Sequence, residues 1–417
     1  MEKAILVGLR LPGISRHEAQ ESLRELARLV ETAGAVAVET IIQQRQEIDP
    51  AYFIGAGKAA ALAEHAGREG IRTIVFDEEL HPVQQKNLEE LTRTKIIDRT
   101  RLILDIFAKR ARSREGILQV ERAQLAYYLP RLSNQGAALD NQVGGIGTRR
   151  GPGEKALEIG RRRVREQISS LDRAIENIRR HRNVQRQKRT EAAFPLVALA
   201  GYTNAGKSTL LNALTHRNDV YADDKLFATL DPTVRQVRLP GGRYALFADT
   251  VGFINKLPHQ VVAAFRSTLE EIKRAKVIVH VIDISHPNHE QQAGTALEVL
   301  KELGAGDIPV ITAYNKADTL SAAQRKKLTN EEGLVISART GQGLDKLLAR
   351  IESVATPGLI AHRIKIPYTG NSVISKIHQL AVVKKRRYGA DAIHLEIGST
   401  PEQWKRIQHL IKQLRPY

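Results

Sequence analysis

The sequence predicts a multidomain α/β chain: an α/β domain carrying a long helical hairpin, a second α/β domain built around a phosphate-loop motif, and a small α+β domain at the end. Three observations lead there. Short apolar runs alternate with helical patterns over residues 1–112, which is how a parallel sheet with covering helices reads. Two long helical patterns then flank a glycine-rich stretch. Finally, Gly201, Tyr202, Thr203, Asn204, Ala205, Gly206, Lys207, Ser208 and Thr209 fit G-x-x-x-x-G-K-[ST] at every fixed position, after a strand-like run at 194–200 and before a helical one at 210–214.

The 417 residues exceed one ordinary core. Composition shifts divide them into 1–112, 113–190, 191–355 and 356–417. No cysteine is present, so disulfides, thiolate metal sites and a cysteine nucleophile are excluded. No run of 18 apolar residues occurs and the first residues do not resemble a cleavable signal; a cytoplasmic, monomeric protein is expected. The formal net charge of +18 calls for a polyanionic partner, with RNA ahead of peripheral association with an acidic membrane.

In chain order, strands are expected at 5–7, 35–42, 73–76 and 95–97, with helices at 16–32, 57–68 and 82–92. Gly55-Ala56-Gly57-Lys58-Ala59 imitates a phosphate loop, but the first glycine is missing at the required distance and Ala59 replaces the hydroxyl that would hold a metal. It reads as a turn at a helix start. From Asp98 one long helical pattern is expected to reach Pro130, and a second to begin near Glu154, with Leu157, Val164, Ile168, Leu171, Ile175 and Ile178 as a narrow apolar seam. The segment between them holds six glycines with Arg149 and Arg150, a glycine-rich basic tip. Residues 161–189 of the second helix carry eleven basic against three acidic side chains. A solvated face usually mixes signs, so this surplus points to phosphate contact, and the scarcity of aromatics favours RNA shape or backbone over base stacking. In the last domain a helix at 372–380, strands at 381–383 and 393–397 and a helix after Pro401 are expected, with Lys384, Lys385, Arg386 and Arg387 either a contact patch or a solvated turn.

The phosphate loop has its partners downstream in order. Its backbone N–H groups and Lys207 suit phosphate oxygens, and the Ser208 hydroxyl suits Mg²⁺. Asp249, Thr250, Val251 and Gly252 follow a strand at 244–248: Asp249 can hold Mg²⁺ through water, and Gly252 can offer its N–H to a γ-phosphate. Asn315, Lys316, Ala317 and Asp318 follow an apolar run at 309–313; the Asp318 carboxylate can accept from N1–H and the exocyclic amine of guanine, a donor pair that adenine lacks. Ser337, Ala338 and Arg339 supply a further base-contacting loop. The constellation predicts GTP bound and hydrolysed to GDP with Mg²⁺, Lys207 and Gly252 being catalytic. Spacing alone leaves Thr229 and Thr233 open as the threonine that closes over the metal. Phe253 stands where many GTPases place a water-orienting glutamine, so slow intrinsic turnover is expected.

The runs GYTNAGKSTL, FATLDPT, DTVGF and NKAD, with VFDEELHPVQQKNLE, IIDRTRLILDIFAKRARSREGILQVERAQLAYYLPRL and GGIGTRRGPGE upstream, resemble the HflX family of GTPases over nearly the whole chain. The resemblance implies that Thr229 is the switch contact and a catalytic residue, that Phe227, Ala228, Thr229, Leu230 and Asp231 touch nucleotide, and that Ser208 and Thr229 hold Mg²⁺. It also implies binding to the large ribosomal subunit and its rRNA, with a role in ribosome splitting or rescue under stress and turnover stimulated by the ribosome. The chain departs from the family pattern at Lys155 and Gly160, at the base of the second hairpin helix. An RNA-binding or remodelling protein with a mainly structural GTP site is the alternative.

Overall fold

Strand β1 (Glu2–Arg10) is buried from Ala4 through Leu9, which requires a sheet covered on both faces. That sheet belongs to the first of two compact units in the computed structural model, which describes residues 1–134, 152–190, 194–215, 226–227, 233–256, 271–321, 333–355, 360–368 and 371–412. The first unit comprises Met1–Arg179 with the described residues of 223–231 and 254–267, and the second comprises the remainder. The glycine-rich tip, residues 228–231 and the linker at 356–358 lie outside the described residues.

In the first unit, β1, β2 (Ala35–Gln44), β3 (Thr73–Phe76) and β4 (Lys95–Asp98) form a parallel sheet in the order β2-β1-β3-β4. Helix α1 (Arg16–Ala33) starts at a reciprocal Ser15–Glu18 capping box and stops at Gly34 with φ 95°; both ends are written locally. Helices α2 (Ala56–Glu69) and α3 (Pro82–Thr92) close a core that includes Ile5, Val7, Leu62, Phe76, Leu88 and Ile96.

The helical pattern expected to run unbroken from Asp98 to Pro130 is two helices, α4 (Arg99–Arg110) and α5 (Arg114–Tyr128). The Ser113 hydroxyl accepts from the Gly116 N–H at 2.9 Å, a cap that starts a new helix in place of continuing the old one. Helix α6 (Pro152–Thr190) runs 39 residues. Between 158 and 181 none of its residues is buried, and Val164, Ile168, Leu171, Ile175 and Ile178 are half-buried, so the expected seam is present and shallow. Arg122 of α5 pairs with Asp172 of α6 at 3.1 Å.

The second unit is organised on a six-stranded sheet in the order β10-β9-β8-β5-β7-β6. Its strands are β5 (Leu196–Gly201), β6 (Thr233–Arg238), β7 (Tyr244–Asp249), β8 (Val277–Asp283), β9 (Val310–Asn315) and β10 (Leu334–Val335). Only β6 runs antiparallel to its neighbour. With β5 flanked by β7 and β8, the strand order reverses at β5, the place where open parallel sheets form a crevice at their carboxyl ends. Helices α7 (Lys207–Thr215), α8 (His289–Glu302) and α9 (Leu344–Ala355) accompany it. Thr233, a candidate metal-closing threonine on spacing, opens β6 and is paired in register with Asp249.

The same unit ends in a three-stranded antiparallel sheet, β11 (Ile360–Pro367), β13 (Ala392–Ser399) and β12 (Val382–Tyr388), under α10 (Asn371–Leu380) and α11 (Pro401–Lys412). Strand β11 was not expected from the sequence. Its pattern of exposed Ile360 and Ala361 against buried Ile364 and Ile366 gives only a short alternation. The basic run is not a turn: it lies in edge strand β12 with Lys385, Arg386 and Arg387 exposed, where charge discourages further strand pairing. The Arg243 guanidinium donates to Gly398 O at 3.0 Å and Gln403 Oε1 at 3.3 Å, tying this sheet to the turn after β6. Among the described residues no helix is long and apolar enough to cross a membrane.

Candidate nucleotide site

Residues Val197 to Ala200 of β5 are fully buried, so the loop that follows leaves the sheet from a rigid base. Gly201 takes φ 151° and a Cβ there would sit 2.2 Å from Val281 O, a space that only glycine fits. Asn204 takes φ 60° and Gly206 φ 91°, which turn the chain back into α7. The helix begins at Lys207, three residues before the sequence suggested, so Lys207, Ser208 and Thr209 form its first turn. A helix N-terminus directs N–H groups outward and favours an anion there.

The Lys207 ammonium is buried and donates to Gly201 O at 3.1 Å and Tyr202 O at 2.7 Å. Burial draws it down to about 8, with the Asp249 charge opposing; an arriving phosphate would restore its full charge. The Ser208 hydroxyl donates to Asp249 Oδ2 at 2.7 Å, and Asp249 is fully buried at the end of β7. A hydroxyl and a carboxylate at that distance suit a hard cation bridging to phosphate. Among the described residues no group of three His, Asp or Glu side chains could hold a metal without such help. The buried Thr203 Oγ1 has no partner among the described residues, which leaves one donor of the loop for a ligand.

Gly252 presses on the loop: a Cβ there would meet Thr203 Cα at 2.7 Å. Just beyond it the Phe253 N–H donates to Gly201 O at 3.1 Å, and the Thr203 N–H donates to Phe253 O at 2.8 Å. Phe253 is 3% exposed and Val251 6%. The Thr250 hydroxyl donates to Leu199 O at 2.6 Å, so Asp249, Thr250 and Gly252 are all held against β5 and its loop.

At the other end of the crevice Asn315, 2% exposed, donates through Nδ2 to Ala205 O at 2.8 Å and accepts through Oδ1 from the Ala338 N–H at 2.9 Å. Lys316 takes φ 65° and its ammonium pairs with Asp283 Oδ2 at 2.7 Å. The Ala317 N–H donates to Ile336 O at 3.1 Å. Asp318 accepts from the Ser337 hydroxyl at 2.6 Å and pairs with Arg339 at 2.6 Å. The carboxylate is thereby tied through both oxygens to the loop at 337–339.

The structure thus brings together 201–209, 249–252, 315–318 and 337–339. Phe227 belongs to the first unit, where it is buried at φ 55° with its ring edge-on to Phe107 at 4.7 Å. Ala228, Thr229, Leu230 and Asp231 lie outside the described residues. Sequence reasoning missed Asp283, which aims Lys316, although an acid closing an apolar strand was the available signal. It also missed His280, 2% exposed in the middle of β8. Burial and the Lys207 charge hold this imidazole neutral, down to about 4.

Four family models match in succession: GTP-binding GTPase N-terminal over 20–108, GTP-binding GTPase Middle Region over 110–189, 50S ribosome-binding GTPase over 196–316 and HflX C-terminal domain over 322–413. The GTPase HflX of Caldanaerobacter subterraneus subsp. tengcongensis is 44% identical over 98% of this chain and 94% of its own. That of Escherichia coli K12 is 39% identical over 97% and 95%. Among solved structures, a GTP-binding protein from the archaeon Sulfolobus solfataricus in complex with GDP aligns at 24% identity over 85% of this chain and 99% of its own, with a TM-score of 0.43. With the segments at 201–209, 249–252 and 315–318 converging on one crevice and relatives 39–44% identical over nearly the whole chain, the chain belongs to the HflX family of GTPases and is a GTP hydrolase.

Proposed function

We infer that this hydrolase is a Mg²⁺-dependent switch whose triphosphate state binds the large ribosomal subunit through its rRNA, in ribosome splitting or rescue under stress. The observation that carries the reading is α6. Of its basic side chains at 161–180, Arg162, Arg163, Arg165, Arg173 and Arg180 are exposed, while Arg162 pairs with Glu166 and Arg179 with Glu176 on the same helix. A cationic helix of this length next to a glycine-rich basic tip suits an RNA backbone. Four tandem modules in a cytoplasmic monomer would place that arm and the nucleotide domain in one chain.

At the site, Ser208 and Thr229 would hold the metal directly and Asp249 through water. When bound there, Mg²⁺ would supply positive charge to offset that developing on the leaving group. Lys207 stabilises the same charge, and the Gly252 N–H senses the γ-phosphate. The buried Phe253 ring cannot orient water, so basal turnover is slow and the ribosome supplies what is lacking. The test is GTP turnover with and without large subunits at two salt concentrations, together with co-sedimentation in GDP or a non-hydrolysable GTP analogue. Stimulation and analogue-dependent, salt-sensitive binding are expected. Equal binding in both nucleotides would favour a structural GTP site, and flotation with acidic vesicles but no subunit binding would favour a membrane surface.

A further inference from the structure

The two helices over the C-terminal sheet spend their main apolar faces on it. Val373, Ile374 and Ile377 of α10 and Ile407 of α11 are buried with Ile366, Leu395 and Ile397 of the strands. Leu380 and Leu410 pack only partly against that core and are half-buried. They form the floor of a groove of about 570 Å³ lined by both helices and rimmed by Lys376, Lys405, Arg406 and His409, all four exposed. The helical period accounts for this arrangement: Lys376 and Leu380, Arg406 and Leu410, and Lys405 and His409 are each four residues apart, so each pair shares a face. The charge along the two helices is one-sided. Lys376, Lys405, Arg406 and Lys412, with His378 and His409, stand against Glu402 alone.

An apolar floor inside a cationic rim selects its occupant. A nucleic-acid backbone would use the rim and leave the leucines unmatched, and the lining residues include no aromatic ring on which a base could stack. A neutral apolar surface would cover the leucines and desolvate four basic side chains without partners. A helix with one apolar stripe and acidic flanks matches both features, its stripe covering Leu380 and Leu410 while glutamate or aspartate on either side meets the rim. We propose that the groove between α10 and α11 is a docking site for an acidic amphipathic helix of a protein partner. None of its six lining residues belongs to the nucleotide site, so docking there can be measured apart from GTP chemistry.

Trp404, the chain's only tryptophan, lies in α11 beside Lys405 and stacks on His362 with ring centroids 3.7 Å apart, so its fluorescence reports on this helix. The probe is a tryptophan-free synthetic peptide of about 16 residues, long enough to hold a helix, with leucine at i, i+4 and i+7 and glutamate around them, titrated into the full-length protein. Saturable binding is expected. Lys405→Glu should weaken it about tenfold, since a like charge then faces the peptide, with GTP turnover and thermal melting unchanged. A second peptide with lysine in place of glutamate should fail on the wild type and bind the Lys376→Glu, Lys405→Glu protein. No saturable binding of the acidic peptide, or no loss in Lys405→Glu, would overturn the proposal. So would equal binding by a peptide with serine in place of leucine, which would leave a purely electrostatic surface of the kind RNA uses. Self-association of the wild type that Lys405→Glu abolishes would overturn it too, giving the groove to a second copy of the chain.

Discussion

Residues 55–59 and 201–209 spell similar short words, Gly-Ala-Gly-Lys-Ala and the phosphate loop, and fold into different objects. Gly55 is the N-cap of α2 at φ −63°, its N–H already given to Gln43 Oε1 at 2.9 Å, and its carbonyl accepts from both Lys58 N–H and Ala59 N–H at 2.9 Å. Only Ala56 and Gly57 stand between Gly55 and Lys58, both already in the helix, so there is no loop for Lys58 to fold back over. In the second segment five residues separate Gly201 from Lys207, enough for the ammonium to return to the Gly201 and Tyr202 carbonyls. The spacing between glycine and lysine, more than the residue types, separates a helix cap from a phosphate cradle.

Substitutions that treat the two loops alike should give unlike results. Gly201→Ala places a methyl 2.2 Å from Val281 O at φ 151° and is expected to cost about 2–4 kcal/mol. Gly55→Ala meets only side-chain ends, Arg45 Nη1 at 2.4 Å and Gln43 Nε2 at 3.1 Å, and should change stability by no more than about 1 kcal/mol; chemical denaturation of both variants measures the contrast. Lys207→Ala should weaken GTP binding about 10- to 100-fold, the worth of a charged hydrogen bond to phosphate, whereas Lys58→Ala should bind as the wild type does in equilibrium titration. Within β8 the effect is pH-dependent. His280 has a folded value of about 4 against 6.5 ordinarily, so the unfolded chain takes up the proton first. Stability should therefore fall as pH drops from 6.5 to 4, by roughly 3 kcal/mol in all, and His280→Phe should flatten that slope.

Much of this was legible because it is local. The parallel sheet of the first unit, the strand before the phosphate loop and the order of the four nucleotide segments each follow from apolar runs and fixed spacings. The break at Ser113 was hidden because the apolar period continues across it, and a single cap outweighed that period. Strand β11 was hidden because two of its outward positions carry Ile360 and Ala361. The Asp283–Lys316 pair joins residues 33 positions apart, and the Lys256–Asp77 pair joins residues nearly 180 apart; such contacts are set by packing and leave no spacing to read.

Asn315 touches Ala205 on one side and Ala338 on the other, so a single buried amide staples the phosphate loop to the loop at 337–339. Nucleotide release is then expected to behave as one event: a displacement of the loop at 337–339 should also slacken the loop at 201–209. A partner that pulled anywhere near 337–339 would raise the off-rate for the whole nucleotide, and exchange could be governed from the end of the crevice farthest from the chemistry.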